Sequence, residues 1–161
     1  MKEVRFMMLA AMCMAMFSFT SCSDDDDFKP EDAVQAALTA KYPNATHIEW
    51  EKKKTYLVAD CHVDGKDLDV WFTADAQWKM TETELLAADL PAAVTAALAA
   101  HATYGSWRVD DRDLLQYANG ASEYVIEVEE HNKEVDLYFS ADGELLDEVD
   151  VTTGDDTHWP E

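Results

Sequence analysis

Hydrophobic and polar residues alternate in two stretches of the chain, residues 68–75 and residues 135–142, which are near copies of each other. In each copy aliphatic residues and a Phe occupy every second position, with an acidic residue and a large aromatic residue between them. A period of two residues is typical of a β-strand with one buried face. We therefore predict one strand in each copy. The residues on the face turned away from the core are Asp69, Trp71, Asp136 and Tyr138.

Two further stretches predict helices, because apolar residues recur there at helical spacing. Residues 31–38 and residues 91–98 are also near copies of each other, with Val34 matched by Val94. Short alternating segments separated by turn residues follow each helix and predict four strands. The chain therefore contains two units, each a helix followed by four antiparallel strands.

These two units predict the fold class. One helix covers only one face of a four-stranded sheet, and antiparallel sheets tolerate an open face. Joining the units edge to edge also removes a pair of exposed strand edges. We predict an α+β protein in which residues 30–82 and residues 83–152 form tandem repeats with a shared sheet and helices on one face. Residues 153–161 are expected to form a loose acidic tail.

The N-terminal residues resemble a bacterial lipoprotein signal. Lys2 and Arg5 precede a short apolar run, and small residues lead into Cys22. The run is shorter than the roughly 20 apolar residues that a membrane-spanning helix needs. We predict a signal peptide in residues 1–21, lipid attachment at Cys22 and an acidic tether in residues 22–29. A secretory signal that is cleaved at another position is the alternative.

The acidic run that follows Cys22 predicts where the protein is located. An acidic run directly after a lipidated Cys resembles the surface-export signal of lipoproteins in some Gram-negative anaerobes. We expect a protein anchored to the outer membrane by lipid and displayed on the cell surface, with the periplasm as the alternative. Contact with the membrane is expected through the N-terminal lipid only.

Charge restricts the partners of this protein. The chain has 34 acidic residues against 12 Lys and Arg, which gives a net charge of -22. Such a chain repels nucleic acid phosphates and anionic membrane surfaces, so we expect neither as a ligand. Strong net charge is also compatible with plain solubility. After Cys22 the chain has a single cysteine, Cys61, so we expect no internal disulfide and interpret Cys61 as a buried thiol.

Residues 42–45 (YPNA), 71–75 (WFTAD) and 90–94 (LPAAV) resemble those of secreted PepSY-like proteins from Gram-negative anaerobes. The plan of two helix-plus-four-strand units is similar to the β-lactamase-inhibitor-protein-like fold. This resemblance implies a protein that binds partner proteins with the open face of its sheet. It also implies a link with the restraint of peptidases, which PepSY modules are associated with.

Large aromatic residues outside the predicted core form the candidate site. Aromatic rings on an open sheet suit protein recognition, because they bury a large area at a low cost in side-chain entropy. Neighbouring acidic residues would favour a basic partner. We predict that an unknown protein or peptide binds to Trp50, Tyr56, Asp69, Trp71, Trp107, Asp136 and Tyr138. The competing interpretation is that loops, the tail or the other unit cover these rings.

The sequence predicts no catalytic, metal or cofactor site. It has no nucleophile elbow and no glycine-rich phosphate loop, and its five histidines fit no metal-binding spacing. We therefore expect a non-catalytic cell-envelope lipoprotein that binds a protein or peptide through the open sheet face. The resemblance to PepSY-like proteins implies a peptidase-inhibitor-like module. The alternatives are binding of a glycan or small ligand by the same aromatic face, and a structural role in an outer-membrane assembly.

Overall fold

The computed structural model describes residues 28–154 and 157–160. Its elements along the chain are α1 (Asp32–Lys41), β1 (Thr46–Lys53), β2 (Tyr56–Val63), β3 (Lys66–Thr73), β4 (Trp78–Glu84), α2 (Ala92–Ala100), β5 (Arg108–Tyr117), β6 (Ser122–Glu130), β7 (Lys133–Phe139) and β8 (Leu145–Asp150). The strands form one antiparallel sheet in which their order is their order along the chain. The predicted fold class is confirmed, because the two units share a sheet through the pairing of β4 with β5.

Tight turns connect the hairpins within each unit. Asp64 and Gly65 join β2 to β3, and both have a positive φ, 51° and 87°. Two consecutive residues with positive φ form the turn whose twist matches that of the flanking strands. His131, with a φ of 60°, begins the corresponding turn between β6 and β7.

The helices bury one apolar stripe each against the sheet. Val34 and Leu38 of α1 lie in a cluster with Phe72 and other residues of β2 and β3. Val94 of α2 lies in a second cluster with Phe139 and other residues of β6 and β7. Each buried residue removes apolar surface from water, which stabilises the fold by about 1.5–3 kcal/mol for a large aliphatic or aromatic side chain.

Strand pairing shows that both helices pack on the same face of the sheet. Residues directly opposite each other in neighbouring strands point to the same face. Leu68, in the α1 cluster, is opposite Thr83 in β4, which is opposite Leu114 in β5. Leu114 in turn is opposite Tyr124, which packs against the α2 cluster. The other face of the sheet, which we call the open face, is free of helices in the described part of the chain.

A third cluster lies on the open face. It contains Val58, Trp71, Met80, Leu115 and Val125, and one residue packed against it comes from the C-terminus, Trp159. We call residues 157–160 the C-terminal segment. The prediction of a loose tail is wrong for this segment, because Trp159 has an apolar cluster to cover and Pro160 is buried.

The predicted signal peptide (residues 1–21), the lipid attachment at Cys22 and most of the acidic tether (residues 22–29) lie outside the described residues. Among the described helices, neither has the length and apolar character required to cross a membrane.

Candidate binding face and acidic pocket

Trp71, which was expected to face water, is completely buried. It is on the open face, as the alternation predicts, but 0% of its surface is exposed. The ring of Trp159 lies 5.5 Å from it and the ring of Tyr56 lies 5.9 Å from it, both edge to face. The expectation of an exposed indole is therefore wrong, because the C-terminal segment covers the position.

Trp50 and Trp107 lie on the helix side of the sheet. Trp50 is opposite Ala59, a residue of the α1 cluster, and its ring is 6.1 Å from that of Phe72. Trp107 precedes β5 and packs against the α2 cluster, with its ring 5.0 Å from Tyr104. The prediction that these two indoles join the open face is wrong. In each unit the indole packs against the apolar cluster beneath the helix, where its ring is partly removed from water.

The remaining predicted site residues do lie on the open face. Tyr56 and Tyr138 are half-buried at the third cluster. Asp69 lies beside Lys53, with its carboxylate 3.5 Å from the ammonium nitrogen. Asp136 is almost fully buried, with 3% of its surface exposed. The structure thus brings Asp69 and Asp136 to one cavity and covers the ring of Trp71.

These acidic residues line a cavity of about 210 Å³ at the centre of the open face, which we call the acidic pocket. It is lined by Lys53, Asp69, Glu82, Asp111, Asp113, Val125, Glu127, Asp136, Thr157 and His158. A shallower hollow of about 180 Å³ adjoins it and adds the carboxylates of Asp60, Asp67 and Glu84. Carboxylates from β2 to β7 therefore converge on one part of the sheet.

His158 attaches the C-terminal segment to this pocket. Its Nδ1 lies 2.7 Å from Oε1 of Glu82, and its Nε2 lies 3.3 Å from Oδ2 of Asp136. Burial by itself lowers the pKa of His158, but the hydrogen bonds to Asp136 and Glu82 outweigh it and raise the pKa to about 10. At neutral pH the ring is therefore an imidazolium that donates to a carboxylate on each side.

Asp113 is a buried carboxyl group of the pocket. Only 8% of its surface is exposed, and within the described residues no hydrogen bond or ion pair reaches its carboxylate. Burial, followed by the charges of Glu82 and Asp111, raises the pKa of Asp113 to about 8, although His158 acts in the opposite direction. Burial likewise raises the pKa of Asp69 to about 6, although Lys53 acts in the opposite direction. The pocket therefore holds more negative charge than its own basic groups neutralise.

Sequence reasoning missed Glu82, Asp113 and His158. Both carboxylates share the open face with Leu115, because Glu82 is opposite Leu115 and Asp113 is two residues before it on β5. In so acidic a chain, however, no pair of carboxylates is distinctive. The position of His158 depends on the path of the C-terminal segment, for which the sequence carries no pattern.

A larger cavity, of about 620 Å³, lies between α1 and β1. Its lining includes Phe28, Leu38, Ile48 and Trp50, and its charged residues are Lys29 and Glu49. These groups do not converge in a way that suggests a specific ligand. We therefore place the candidate site in the smaller acidic pocket, where titratable groups with shifted pKa values meet.

An eight-stranded antiparallel sheet with one face left open and two helices on the other defines a β-lactamase-inhibitor-protein-like fold. Residues 55–147 match the family described as "Putative beta-lactamase-inhibitor-like, PepSY-like", and the chain belongs to this family.

Solved structures agree with this assignment. A β-lactamase-inhibitor-protein-like protein from Bacteroides fragilis is 52% identical, with a TM-score of 0.77, and the match covers 83% of this chain and 94% of that one. A protein from Bacteroides eggerthii with the description "putative periplasmic" is 32% identical, with a TM-score of 0.75 over 80% of this chain and 94% of that one. A DUF2874 family protein from Bacteroides ovatus is 26% identical, with a TM-score of 0.76 over 80% and 93% of the two chains. The comparison with curated proteins gave no match.

Proposed function

We propose that this protein is a non-catalytic module of the cell envelope that binds a basic protein or peptide on the open face of its sheet. The family description, inhibitor-like, supports a binding role over a catalytic one. The periplasmic description of the Bacteroides eggerthii relative supports the envelope location. The predicted signal peptide and lipid attachment at Cys22 are consistent with the same location.

The observation that carries the proposal is the way the open face holds the chain's own C-terminal segment. This segment presents an imidazolium, His158, and next to it an indole, Trp159. On the open face, carboxylates contact the cation and the third cluster packs against the ring. A partner that carries a basic residue beside an aromatic residue would find the same two kinds of contact.

The buried indole of Trp71 supports the idea that a bound peptide can replace the C-terminal segment on the open face. Its indole nitrogen is fully buried and donates to no acceptor among the described residues. A buried donor without an acceptor costs about 1–3 kcal/mol. A bound peptide that replaces the C-terminal segment could supply a carbonyl oxygen to this N–H, which the segment does not do.

The exposed carboxylates around the pocket support a basic partner. Asp60 and Asp67 on β2 and β3 are exposed on the open face, beside the hollow that adjoins the pocket. Like charges arranged on one face raise the rate of encounter with an oppositely charged partner and reject acidic ones. A sugar-binding role has less support, because stacking on a sugar requires exposed rings and Trp71 is covered.

The proposal can be tested with two synthetic peptides, one of alternating Lys and Trp and one in which Glu replaces each Lys. We expect the purified protein to bind the basic peptide and not the acidic one, with an affinity that falls as salt rises. The double variant Asp60→Asn, Asp67→Asn should weaken binding at least several-fold. The matched control is Glu31→Gln, Asp32→Asn, which changes the net charge equally but alters exposed residues at the start of α1.

Two results would contradict this proposal. One is equal binding of both peptides, which would show attraction that is independent of charge. The other is equal weakening by both double variants, which would show a response to net charge and not to the open face. An assay of β-lactamase and peptidase activity in the presence of the protein would then show whether a partner enzyme is inhibited.

A further inference from the structure

We propose that Glu82, Asp113 and His158 form a binding site for a divalent metal ion of the zinc class. One carboxylate oxygen from each acid and one ring nitrogen of the histidine lie within 4.8 Å of one another. Three ligand atoms at such separations can converge on one ion after small side-chain rotations, since metal–ligand bonds to these groups are about 2.0–2.2 Å long.

Asp113 is the independent observation that indicates a ligand. The residue is more than nine-tenths buried, lines the acidic pocket and accepts no hydrogen bond from the described residues. A carboxylate held out of water without a partner is costly, and proteins ordinarily pair such a group or use it to coordinate a metal. The side chain is therefore largely removed from water, and one of its oxygens lies near the ligand atoms of Glu82 and His158.

Asp136 provides the outer contact that metal-binding histidines usually have. A ligating histidine commonly donates its second ring N–H to a carboxylate, which fixes the ring orientation and makes the ligating nitrogen more basic. Here the Nε2 of His158 lies 3.3 Å from Asp136. Nδ1 faces Glu82 at 2.7 Å. In the absence of metal the Nδ1 proton bonds to Glu82, and the ion would replace that proton.

The charge of the pocket favours a dication. Six carboxyl groups and two basic groups, Lys53 and His158, line the cavity. The ligand set of one imidazole nitrogen and two carboxylates suits zinc and its neighbours, which accept nitrogen and oxygen together. Calcium prefers six to eight oxygen ligands, and magnesium keeps most of its water, so both are expected to bind more weakly here.

A metal at this site would fasten the C-terminal segment to the sheet. Glu82 is on β4 and Asp113 is on β5, the two strands that join the units, while His158 belongs to the segment. The ion would therefore link three separate parts of the chain and hold Trp159 over Trp71. Because an ion at this site binds only the folded arrangement, it would also stabilise the protein.

The test uses purified full-length protein treated with EDTA and then dialysed. We expect calorimetric titration with zinc chloride to show one site per chain. Thermal unfolding should have a higher midpoint with zinc than without it. Cobalt chloride should give visible absorption bands typical of mixed nitrogen and oxygen ligands. Asp113→Asn and His158→Gln should each abolish the one-to-one binding. Asp136→Asn should weaken it by about 10–100-fold, because it removes only the outer contact.

Matched controls separate this site from general attraction to an acidic protein. Asp147→Asn removes one carboxylate from β8, and His62→Gln removes a histidine that pairs with Asp67; neither changed residue lines the acidic pocket. Both should bind zinc as the unchanged protein does, and circular dichroism should show that every variant is folded. Many weak sites, or one-to-one binding that survives Asp113→Asn and His158→Gln, would overturn the proposal.

Discussion

The indole of Trp159 packs edge-on against the indole of Trp71, with ring centroids 5.5 Å apart and planes at 71°. The ammonium nitrogen of Lys54 lies 3.4 Å from the centre of the Trp159 ring. One residue near the C-terminus thus contacts both a buried indole and a cation from the turn after β1. This contact covers part of the open face, where Asp60 and Asp67 remain exposed.

We expect Trp159→Ala to destabilise the protein by about 1–3 kcal/mol, because it removes an aromatic pair, a cation–π contact and apolar burial. Urea unfolding measures the loss. The fluorescence of Trp71 should shift to longer wavelength, because water gains access to its ring. Leu86→Ala is the control, since 72% of Leu86 is exposed and its removal should change neither quantity. An unchanged emission maximum in Trp159→Ala would contradict the covered position of Trp71.

Gly143→Ala should destabilise the protein more than Gly120→Ala. Both glycines have a positive φ, 80° and 87°, so alanine at either position costs about 1 kcal/mol in backbone strain. At Gly143 a Cβ atom would also meet the carbonyl oxygen of Ala93 at 2.5 Å, whereas at Gly120 it would meet nothing within 4 Å. Thermal unfolding of the two variants measures the difference. Equal losses would show that α2 does not approach this turn so closely.

Cys61 should be unreactive in the folded protein. Only 1% of its surface is exposed, and burial, followed by the charges of Asp60 and Asp69, raises the pKa of the thiol to about 11. Because the thiolate is the reactive form, labelling by a thiol reagent at pH 8 should be slow in buffer and fast in guanidinium. The Cys61→Ala variant measures the labelling of the other cysteines, which is subtracted from that of the unchanged protein. Fast labelling of Cys61 without denaturant would contradict its burial.

Asp69→Asn should stabilise the metal-free protein at pH 7 and have little effect at pH 4. Folding raises the pKa of Asp69 to about 6 from 3.8, so the unfolded chain loses this proton first as the pH rises. The folded state binds more protons in this window, and stability therefore falls between about pH 4 and pH 6. Asparagine removes the penalty, and we expect a gain of about 1 kcal/mol at pH 7.

The control for this prediction is Glu49→Gln, which removes an exposed carboxylate of β1. Its effect on the free energy of unfolding should be small at both pH values. A stability gain from Asp69→Asn that is the same at pH 4 and pH 7 would show that hydrogen bonding, and not charge, accounts for it.

Strand alternation was sufficient to place Asp69, Trp71, Asp136 and Tyr138 on the open face, because side-chain direction along a strand depends only on sequence separation. It was not sufficient for Trp50, which is separated from the start of its strand by a register irregularity between Thr46 and Glu49. An irregularity of this kind changes the face of every residue that follows it, and no residue type marks its position.

The two duplicated patterns, one helical and one alternating, determined by themselves that this chain folds as two similar units with one shared, half-covered sheet. These patterns are local, and each requires only that apolar residues reach one side of an element. Only the tertiary structure determined which aromatic rings are exposed to water and which carboxylates lie close together. Trp159 covers Trp71, and His158 joins Glu82 to Asp136, through a segment distant in sequence from all of them. Contacts of this kind depend on the path of the chain in space, which no local period encodes.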